Sequence, residues 1–408
     1  MQLSAAGLRV VCIEPEEGIR QEVGESLDWS GPELLKALGQ PMEDLVKAGL
    51  ATWKRHVTMK LRDGASEHYV PGAWLAEAPF RVELRTLHVD RLHLDEELLK
   101  RTVASGVTVV RDTVVKVERD GERVVAVHTA GGARFSSPWF IDASGFASSL
   151  LPREFGLPAF QFGPAKVAIW TYFAISELAE GTTLYMEPLR SEYLDWVWEI
   201  PIGPQVVSVG FVTTGAAMKV RREQGLSAED IFRQQLLKFP RFETLLQAGA
   251  LGACNVTAFR SRVYDGVAGP NWFVGGEAAS MVDPITANGV TAALRHAAEA
   301  SALILKYRKR GALPRRARIA YNRRILQMAK FFNIGIETIL YEPGVRNRIG
   351  ARASGTAYTT PAWSMNLVYA RLRPRGILKT YLLGLVLGFW RACAWIFSEY
   401  CKRMPAQR

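Results

Sequence analysis

Residues 271–304, NWFVGGEAASMVDPITANGVTAALRHAAEASALI, constrain the fold more than any other stretch. Trp272–Val274 reads as a short apolar strand, and Gly275 and Gly276 allow a tight turn beside a ligand. Pro284 fixes the approach, and Gly289 opens a long alanine-rich helix. Strand, glycine turn and helix in that order bring the unsatisfied amides and positive end of a helix against a flat ring or phosphate oxygens. An ordinary βα junction in an α/β protein is the plainer reading; the length of the run and its glycine placement argue against it.

The start of the chain is consistent with that frame. Gly7 to Ile13, GLRVVCI, is a β-branched apolar run ended by Glu14, an acid placed to accept hydrogen bonds from ribose hydroxyls. The preceding LSAA looks like the tail of a helix with Gly7 as its C-cap. A GxGxxG turn would normally precede such a helix and cradle a pyrophosphate, and none stands before Leu8. The expectation is a nucleotide-binding domain whose first strand and glycine loop are missing. Two explanations stay open: a start at an internal methionine, or a real truncation that leaves an incomplete sheet with an exposed strand edge.

Between these ends, residues 31–50 are helical in pattern, with Leu34, Leu35 and Leu38 on one face and Leu45 in a second short helix. Residues 55–90 alternate irregularly and suggest strands that roof a pocket, and 91–103 form an amphipathic helix. Strands follow at 107–110, 113–118 and 123–128, with a hairpin turn at Asp120 and Gly121. Residues 166–214 read as an antiparallel sheet with a substrate face, and 228–248 as helices. Residues 305–324 hold nine Lys or Arg and no acid, and helices are expected at 325–350 and 377–400. The uncharged run at 380–390 is too short to span a bilayer, and Arg391 interrupts its continuation. Packing on the body, peripheral membrane attachment and a true span all remain open for it, in that order of preference.

The formal net charge of +11 suits anionic partners without choosing among them. No zinc-finger spacing, RNP-type aromatic pair or helix-turn-helix pattern accompanies it, so nucleic-acid binding is not expected. Cys12, Cys254, Cys393 and Cys401 form no CxxC, and the six histidines show no ligand spacing, so neither a disulfide scaffold nor a metal site is expected. The first residues have no secretory pattern, and a cytoplasmic protein is the expectation.

Four segments together carry a family resemblance: LRVVCIE at 8–14, VGESL at 23–27, IDASG at 141–145 with GGEAASMVDP at 275–284, and WVWEIP at 196–201. The chain resembles FAD-dependent monooxygenases of the aromatic-hydroxylase class and, within them, the flavin-dependent halogenases. The likeness covers roughly residues 1–305. It implies an α/β fold in which a Rossmann-like FAD-binding domain is interleaved with an antiparallel-sheet substrate domain, followed by a helical C-terminal region. The implied FAD-binding parts are 1–54, 91–158 and 261–304. Residues 55–90 and 159–260 belong to the substrate domain, and 305–408 form the basic helical region. In this family oxygen reacts at reduced FAD, supplied by a separate flavin reductase, and chloride or bromide becomes hypohalous acid. A lysine then holds or activates that acid beside an electron-rich aromatic or polyketide-like substrate, free or bound to a carrier protein, typically in secondary metabolism such as antibiotic biosynthesis.

Carried over residue by residue, Lys54 is the best match to that lysine, one residue off the usual spacing, and Lys60 is the alternative. A plain surface lysine is an open reading for both. Trp196 and Trp198 wall the flavin off from the substrate. Glu14, Arg91, Asp142, Gly145, Gly276, Glu277, Pro284 and Gly289 are the cofactor-binding candidates. Asp95 steadies or caps the helix that carries Arg91, and Arg20 is a phosphate-contact or surface residue. Two departures stand out: Glu277 replaces the usual Asp, and Thr286 replaces the glutamate of tryptophan-type sites, which points to phenolic, pyrrolic or polyketide substrates. A halogenase-like hydroxylase or reductase is the alternative reading, and an inactive remnant the third.

Overall fold

A computed structural model describes residues 1–15, 22–28, 31–62, 64, 66–69, 86–176, 180–188, 191–192 and 194–341. Arg20, the stretch at 70–85 and the apolar run at 380–390 lie outside them. Among the described residues no helix is long and apolar enough to cross a membrane, and no cluster of His, Cys, Asp and Glu could hold a metal ion.

The nucleotide-type frame consists of short parallel strands. Helix α1 (Gln2–Ala5) leads through Gly7, at φ +81°, into β1 (Val11–Ile13), which pairs in parallel with β6 (Thr108–Val110). Likewise β10 (Phe140–Asp142) pairs in parallel with β18 (Trp272–Val274). Glu14, Asp142 and the Gly275–Gly276 turn therefore all sit at carboxyl ends of parallel strands, where open α/β sheets place their ligands. The antiparallel hairpin forms as expected: β7 (Val114–Asp120) and β8 (Arg123–Thr129) turn at Gly121, and β9 (Arg134–Ser136) adds to β8. Helices α5 (Gly145–Ser148) and α6 (Leu150–Glu154) follow β10.

The substrate-side sheet has seven strands in the order β16-β12-β15-β14-β13-β3-β4, and the antiparallel sheet expected over 166–214 forms its core. The core from β12 (Lys166–Ala174), β13 (Thr182–Met186), β14 (Trp196–Gly203), β15 (Val206–Thr214) and β16 (Asn255–Phe259) is antiparallel. However, β3 (Val57–Leu61) joins β13 in parallel and carries β4 (Ser66–Tyr69) beyond it. A parallel partner must come from a distant crossover, so strand alternation alone could not disclose it. Alternation does sort the faces. Trp196, Trp198, Ile200 and Ile202 share one apolar core, whereas Val197, Val207, Val209 and Phe211 pack on the other side. That other side is covered by α7 (Gly215–Glu223), α8 (Ala228–Leu236) and α9 (Glu243–Ala248), through Ile231, Phe232, Leu236 and Leu245.

A smaller core joins the two regions. Helices α2 (Gly31–Lys36) and α3 (Met42–Lys47), the antiparallel pair β2 (Ala51–Lys54) and β5 (Thr86–Val89), and α4 (Arg91–Ala104) bury Leu27, Leu35, Leu45, Leu87 and Leu94 together. Three further short strands, β11 (Ala159–Gln161), β17 (Arg262–Tyr264) and β19 (Ser280–Met281), form an antiparallel sheet.

The long helix α10 (Gly289–Tyr307) starts at Gly289 as expected, but the next helix does not start at 325. Helix α11 (Arg315–Ile336) begins inside the basic run and ends in a π-helical turn, Glu337–Tyr341. Tyr321, Ile325, Ala329 and Phe332 recur at helical spacing on its buried face, and Arg315 and Arg316 are exposed. The density of charge on the outer face hid this periodicity. Tyr321 donates to the Val274 carbonyl at 3.0 Å, and Asn322 accepts the Gly266 and Val267 amides, which ties α11 to the nucleotide-side strands.

Candidate functional site

The tryptophan-bearing strand β14 supplies one wall. Trp196 and Trp198 are 1% and 3% exposed, with ring centroids 5.9 Å apart and planes tilted by 50°. Gly210 lies directly across from Trp198, and a Cβ there would stand 2.0 Å from the indole. The missing side chain makes room for the ring. Each indole N–H donates to a hydroxyl that leads on to a buried carboxylate. Trp198 donates to Ser208 Oγ at 3.0 Å, and Ser208 and Tyr172 donate to Glu25 Oε1 at 3.1 and 3.0 Å. Trp196 donates to the Tyr341 hydroxyl at 2.9 Å. Burial raises the pKa of Glu25, with its hydrogen bonds and Arg91 opposing the shift.

Glu25 belongs to the segment VGESL, and two residues on the same segment receives the candidate lysine. Lys54 ends β2, is 5% exposed, and its Nζ donates to the Leu27 carbonyl at 3.2 Å. Burial lowers its pKa from 10.5 to about 8, against the pull of Asp28. Thr86 donates to the Asp28 carbonyl at 2.9 Å and fixes the segment from below. His88, also buried, spans Thr182 at 2.9 Å and Thr52 at 3.3 Å, and burial holds it neutral well below the usual histidine range. The hydroxyl of Thr52 donates to the Pro201 carbonyl, docking β2 on the end of β14. Lys60, by contrast, is exposed, with its Nζ 5.4 Å from the centre of the Tyr185 ring.

The cofactor candidates fall into two groups. Arg91, Glu277 and Gly289 lie together. Arg91 is clamped by Asp95 at 2.7 Å and by the Val23 carbonyl at 3.0 Å, and its guanidinium lies beside Gly24, which sits at φ +119°. The cap of α4 is Asp90, which accepts the His93 amide; Asp95 lies one turn deeper, so its task is to hold Arg91. Burial raises the Glu277 carboxyl while Arg91 opposes the shift, and a Cβ at Gly289 would sit 3.4 Å from Glu277 Oε1. The N-cap residue of α10, Asn288, makes no side-chain cap bond, and Ala287 just before it holds φ +55°, a strained conformation for a residue with a Cβ. Gly276, at φ +59°, donates its amide to His296 Nδ1 at 3.1 Å; burial drives that histidine to a pKa of about 3. Pro284 opens the 3-10 turn that leads to the helix, and Thr286 donates to the Asp283 carbonyl.

Glu14, Asp142 and Gly145 belong to the strand ends. Glu14 follows β1 and donates its amide to the Val110 carbonyl. Both carboxylate oxygens of Asp142 accept backbone amides, from Ser144 at 2.9 Å and Leu151 at 2.7 Å, so in this structure it braces the turn after β10. Gly145 takes φ +74° in that turn.

Sequence reasoning missed Glu25, Tyr172, Ser208, His88 and Tyr341 as site residues. The signal for Glu25 was present in VGESL, and polar residues inside apolar strands mark Tyr172 and Ser208. Nothing local marks Tyr341, because its partner Trp196 is 145 residues away.

The family model described as tryptophan halogenase matches residues 76–332, more than half of the 408. A protein of Chondromyces crocatus named tryptophan 2-halogenase is 27% identical over 310 residues, covering 74% of this chain and 57% of that protein. A Pseudomonas fluorescens protein named as a chlorinase of 1H-pyrrole-2-carbonyl carried on a peptidyl-carrier protein is 27% identical, covering 74% and 72%. The chain thus spans little more than half the length of the first of these relatives. Among solved structures, the flavin-dependent brominase Bmp2 superposes with a TM-score of 0.70 at 20% identity, covering 99% of this chain and 95% of that one. The flavin-dependent halogenase CmlS superposes with a TM-score of 0.70 at 23% identity, covering 97% and 74%. These superpositions establish the two-domain halogenase and hydroxylase fold.

Proposed function

The chain belongs to the tryptophan halogenase family, and from that premise we propose that it is an FAD-dependent halogenase of an electron-rich aromatic or polyketide-like substrate. The observation that carries this reading is Lys54. A lysine sunk to 5% exposure, with its pKa lowered to about 8 and docked on the VGESL segment whose Glu25 takes up the Trp198 link, is costly to fold and suited to holding a reactive oxidant.

The residues present fit FAD. The N-terminal amides of α10 offer donors to a flavin ring or phosphate oxygens, Glu277 offers acceptors to ribityl hydroxyls, and Arg91 brings a positive charge beside them. Gly276, at φ +59°, makes the tight turn that lets this strand end pack against Ala293 of α10. Glu14, Asp142, Gly145 and Pro284 complete the set at the strand ends and the helix approach. Reduced FAD, delivered by a separate flavin reductase, would supply the two electrons and two protons that, with one further proton, turn oxygen and halide into hypohalous acid and water.

The work of the protein's own groups follows. Trp196 and Trp198, held by their N–H bonds, exclude water and keep substrate away from the oxidant's source. Lys54 Nζ donates a hydrogen bond to hypohalous acid, and with a pKa of about 8 roughly a tenth of it is neutral at pH 7 and open to chloramine formation. The aromatic carbon then takes the halogen, and its displaced proton leaves with the hydroxide as water. Thr286 stands where a glutamate would serve a tryptophan substrate, which favours phenolic, pyrrolic or polyketide rings, free or on a carrier protein.

The test supplies FAD, a flavin reductase, NADH and bromide or chloride to the chain, with phenol, pyrrole and indole substrates, and follows products by mass spectrometry. The expected result is a halogenated phenol or pyrrole that disappears with Lys54→Ala, while flavin reoxidation to hydrogen peroxide persists. Hydroxylated product without halogenated product refutes the halogenase reading in favour of a hydroxylase of the same fold.

A further inference from the structure

A second buried polar cluster lies behind the tryptophan wall. Lys166 opens β12 and is 0% exposed, among the largest completely buried side chains. Its Nζ ion-pairs with Glu337 and, at 3.1 Å, with Asp283 Oδ2, and it stands 4.2 Å from the centre of the Tyr341 ring. Ser261 Oγ donates to Glu337 Oε1 at 2.8 Å. The Tyr341 hydroxyl accepts the Trp196 N–H and lies near the Asp283 carboxylate, whose charge adds to burial in raising the tyrosine's pKa. Asp283 Oδ1 in turn accepts the Ile285 amide, which holds the turn ahead of the strained Ala287. Four remote parts of the chain meet here: the start of β12, Ser261 before β17, the 283–289 loop and the π-helical turn that ends α11.

Two features argue that this cluster is built and not incidental. Gly163 sits at φ +56°, and a Cβ there would come 1.7 Å from Glu337 Oε2, so the chain is cut away to admit the carboxylate. And a completely buried lysine between two carboxylates is a poor source of stability, because desolvation offsets most of the attraction and an apolar set of equal volume would do as well. What such a cluster does provide is geometry: each charge admits few arrangements of its partners. A π-helical turn, which misaligns the helix ladder, commonly marks a functional position.

We propose that Lys166, Asp283, Glu337 and Tyr341 are positioning residues, a buried charged brace through which the end of α11 fixes the Trp196 indole against the 283–289 loop. Its bearing on halogenation rests on the function proposed above; the brace itself does not. The brace gives the C-terminal helical region a task in the site, although that region carries none of the motifs that mark the family.

The experiment uses the full chain labelled with 5-fluorotryptophan, with the Trp196 and Trp198 resonances assigned through Trp196→Phe and Trp198→Phe. Tyr341→Phe removes the direct partner and is the positive control. The decisive variant is Glu337→Gln, which keeps shape, is separated from Trp196 by Tyr341, and removes one charge. The expected result is a displaced or split Trp196 resonance, with Trp198 and the remaining tryptophans in place. An unmoved Trp196 resonance in Glu337→Gln, or movement of all resonances together, overturns the brace. Lys166→Met is the severe form; if it does not fold, Glu337→Gln still decides. The second readout is halogenated product per hydrogen peroxide, expected to fall by on the order of tenfold or more in Glu337→Gln with flavin reoxidation unchanged. A wild-type chain that makes no halogenated product defeats the proposed function, and the Trp196 resonance then decides for or against the brace by itself.

Discussion

Replacing Lys54 by methionine should stabilise the protein near pH 7 while abolishing halogenation. The side chains are of similar length, but only lysine must carry a charge into a site that is 5% exposed. The cost follows from the pKa, which falls from 10.5 when exposed to about 8 in the folded chain. At 1.36 kcal/mol per pKa unit this is about 3 kcal/mol of destabilisation. Loss of the hydrogen bond to the Leu27 carbonyl returns about 1 kcal/mol. The net gain for Lys54→Met is thus about 2 kcal/mol. Its pH dependence is the sharper signature. Below pH 8 the lysine is charged folded and unfolded, and the penalty is complete. Between about 8 and 10.5 the unfolded chain binds a proton that the folded chain has shed, so wild-type stability rises with pH relative to the variant. Above 10.5 the charge penalty is gone. Urea unfolding of both proteins from pH 6.5 to 10.5 measures the difference, in which the other lysines cancel. A stability difference that does not change with pH, or a methionine variant weaker than wild type at pH 7, would refute the account of Lys54 as a buried, perturbed amine.

Three other substitutions test separate parts of the site. Gly24→Ala puts a Cβ 2.8 Å from Arg91 Nη1 at a φ of +119°, so it should push the guanidinium away and weaken FAD binding by about tenfold, read by fluorescence titration; unchanged affinity would remove Arg91 from the cofactor set. Gly210→Ala overlaps the Trp198 ring at 2.0 Å and should cost about 1–3 kcal/mol in urea unfolding, with halogenated product falling relative to peroxide as the Trp198–Ser208–Glu25 link breaks; a neutral outcome would mean that the indole has other room. Asp142→Ala strands the Ser144 and Leu151 amides and should lower stability by about 1–3 kcal/mol, and a loss of FAD affinity in folded protein at the same time would show that the carboxylate also reaches the cofactor.

What the sequence determined by itself was whatever is written locally. The strand, turn and helix at 271–304, the amphipathic helix at 91–103, the hairpin at Gly121 and the tryptophan strand depend on neighbours a few residues apart, where glycine placement and side-chain alternation act directly. The family resemblance carried by VGESL and WVWEIP, and not periodicity, narrowed the lysine to two candidates. Only tertiary structure separates the two by burial, which is a property of what packs over a residue: Lys54 is covered by the Leu27–Asp28 segment and β5, and Lys60 is left exposed. It also decided the parallel pairing of β3 with β13, the start of α11 within the basic run, and the task of Asp95 as the partner of Arg91. Above all it assembled the carboxylate networks behind the two indoles. Glu25 meets Ser208 across 183 residues and Lys166 meets Glu337 across 171, and no periodicity extends that far. Buried polar groups find partners only when the chain closes, since each must be satisfied wherever the fold happens to bring a complement.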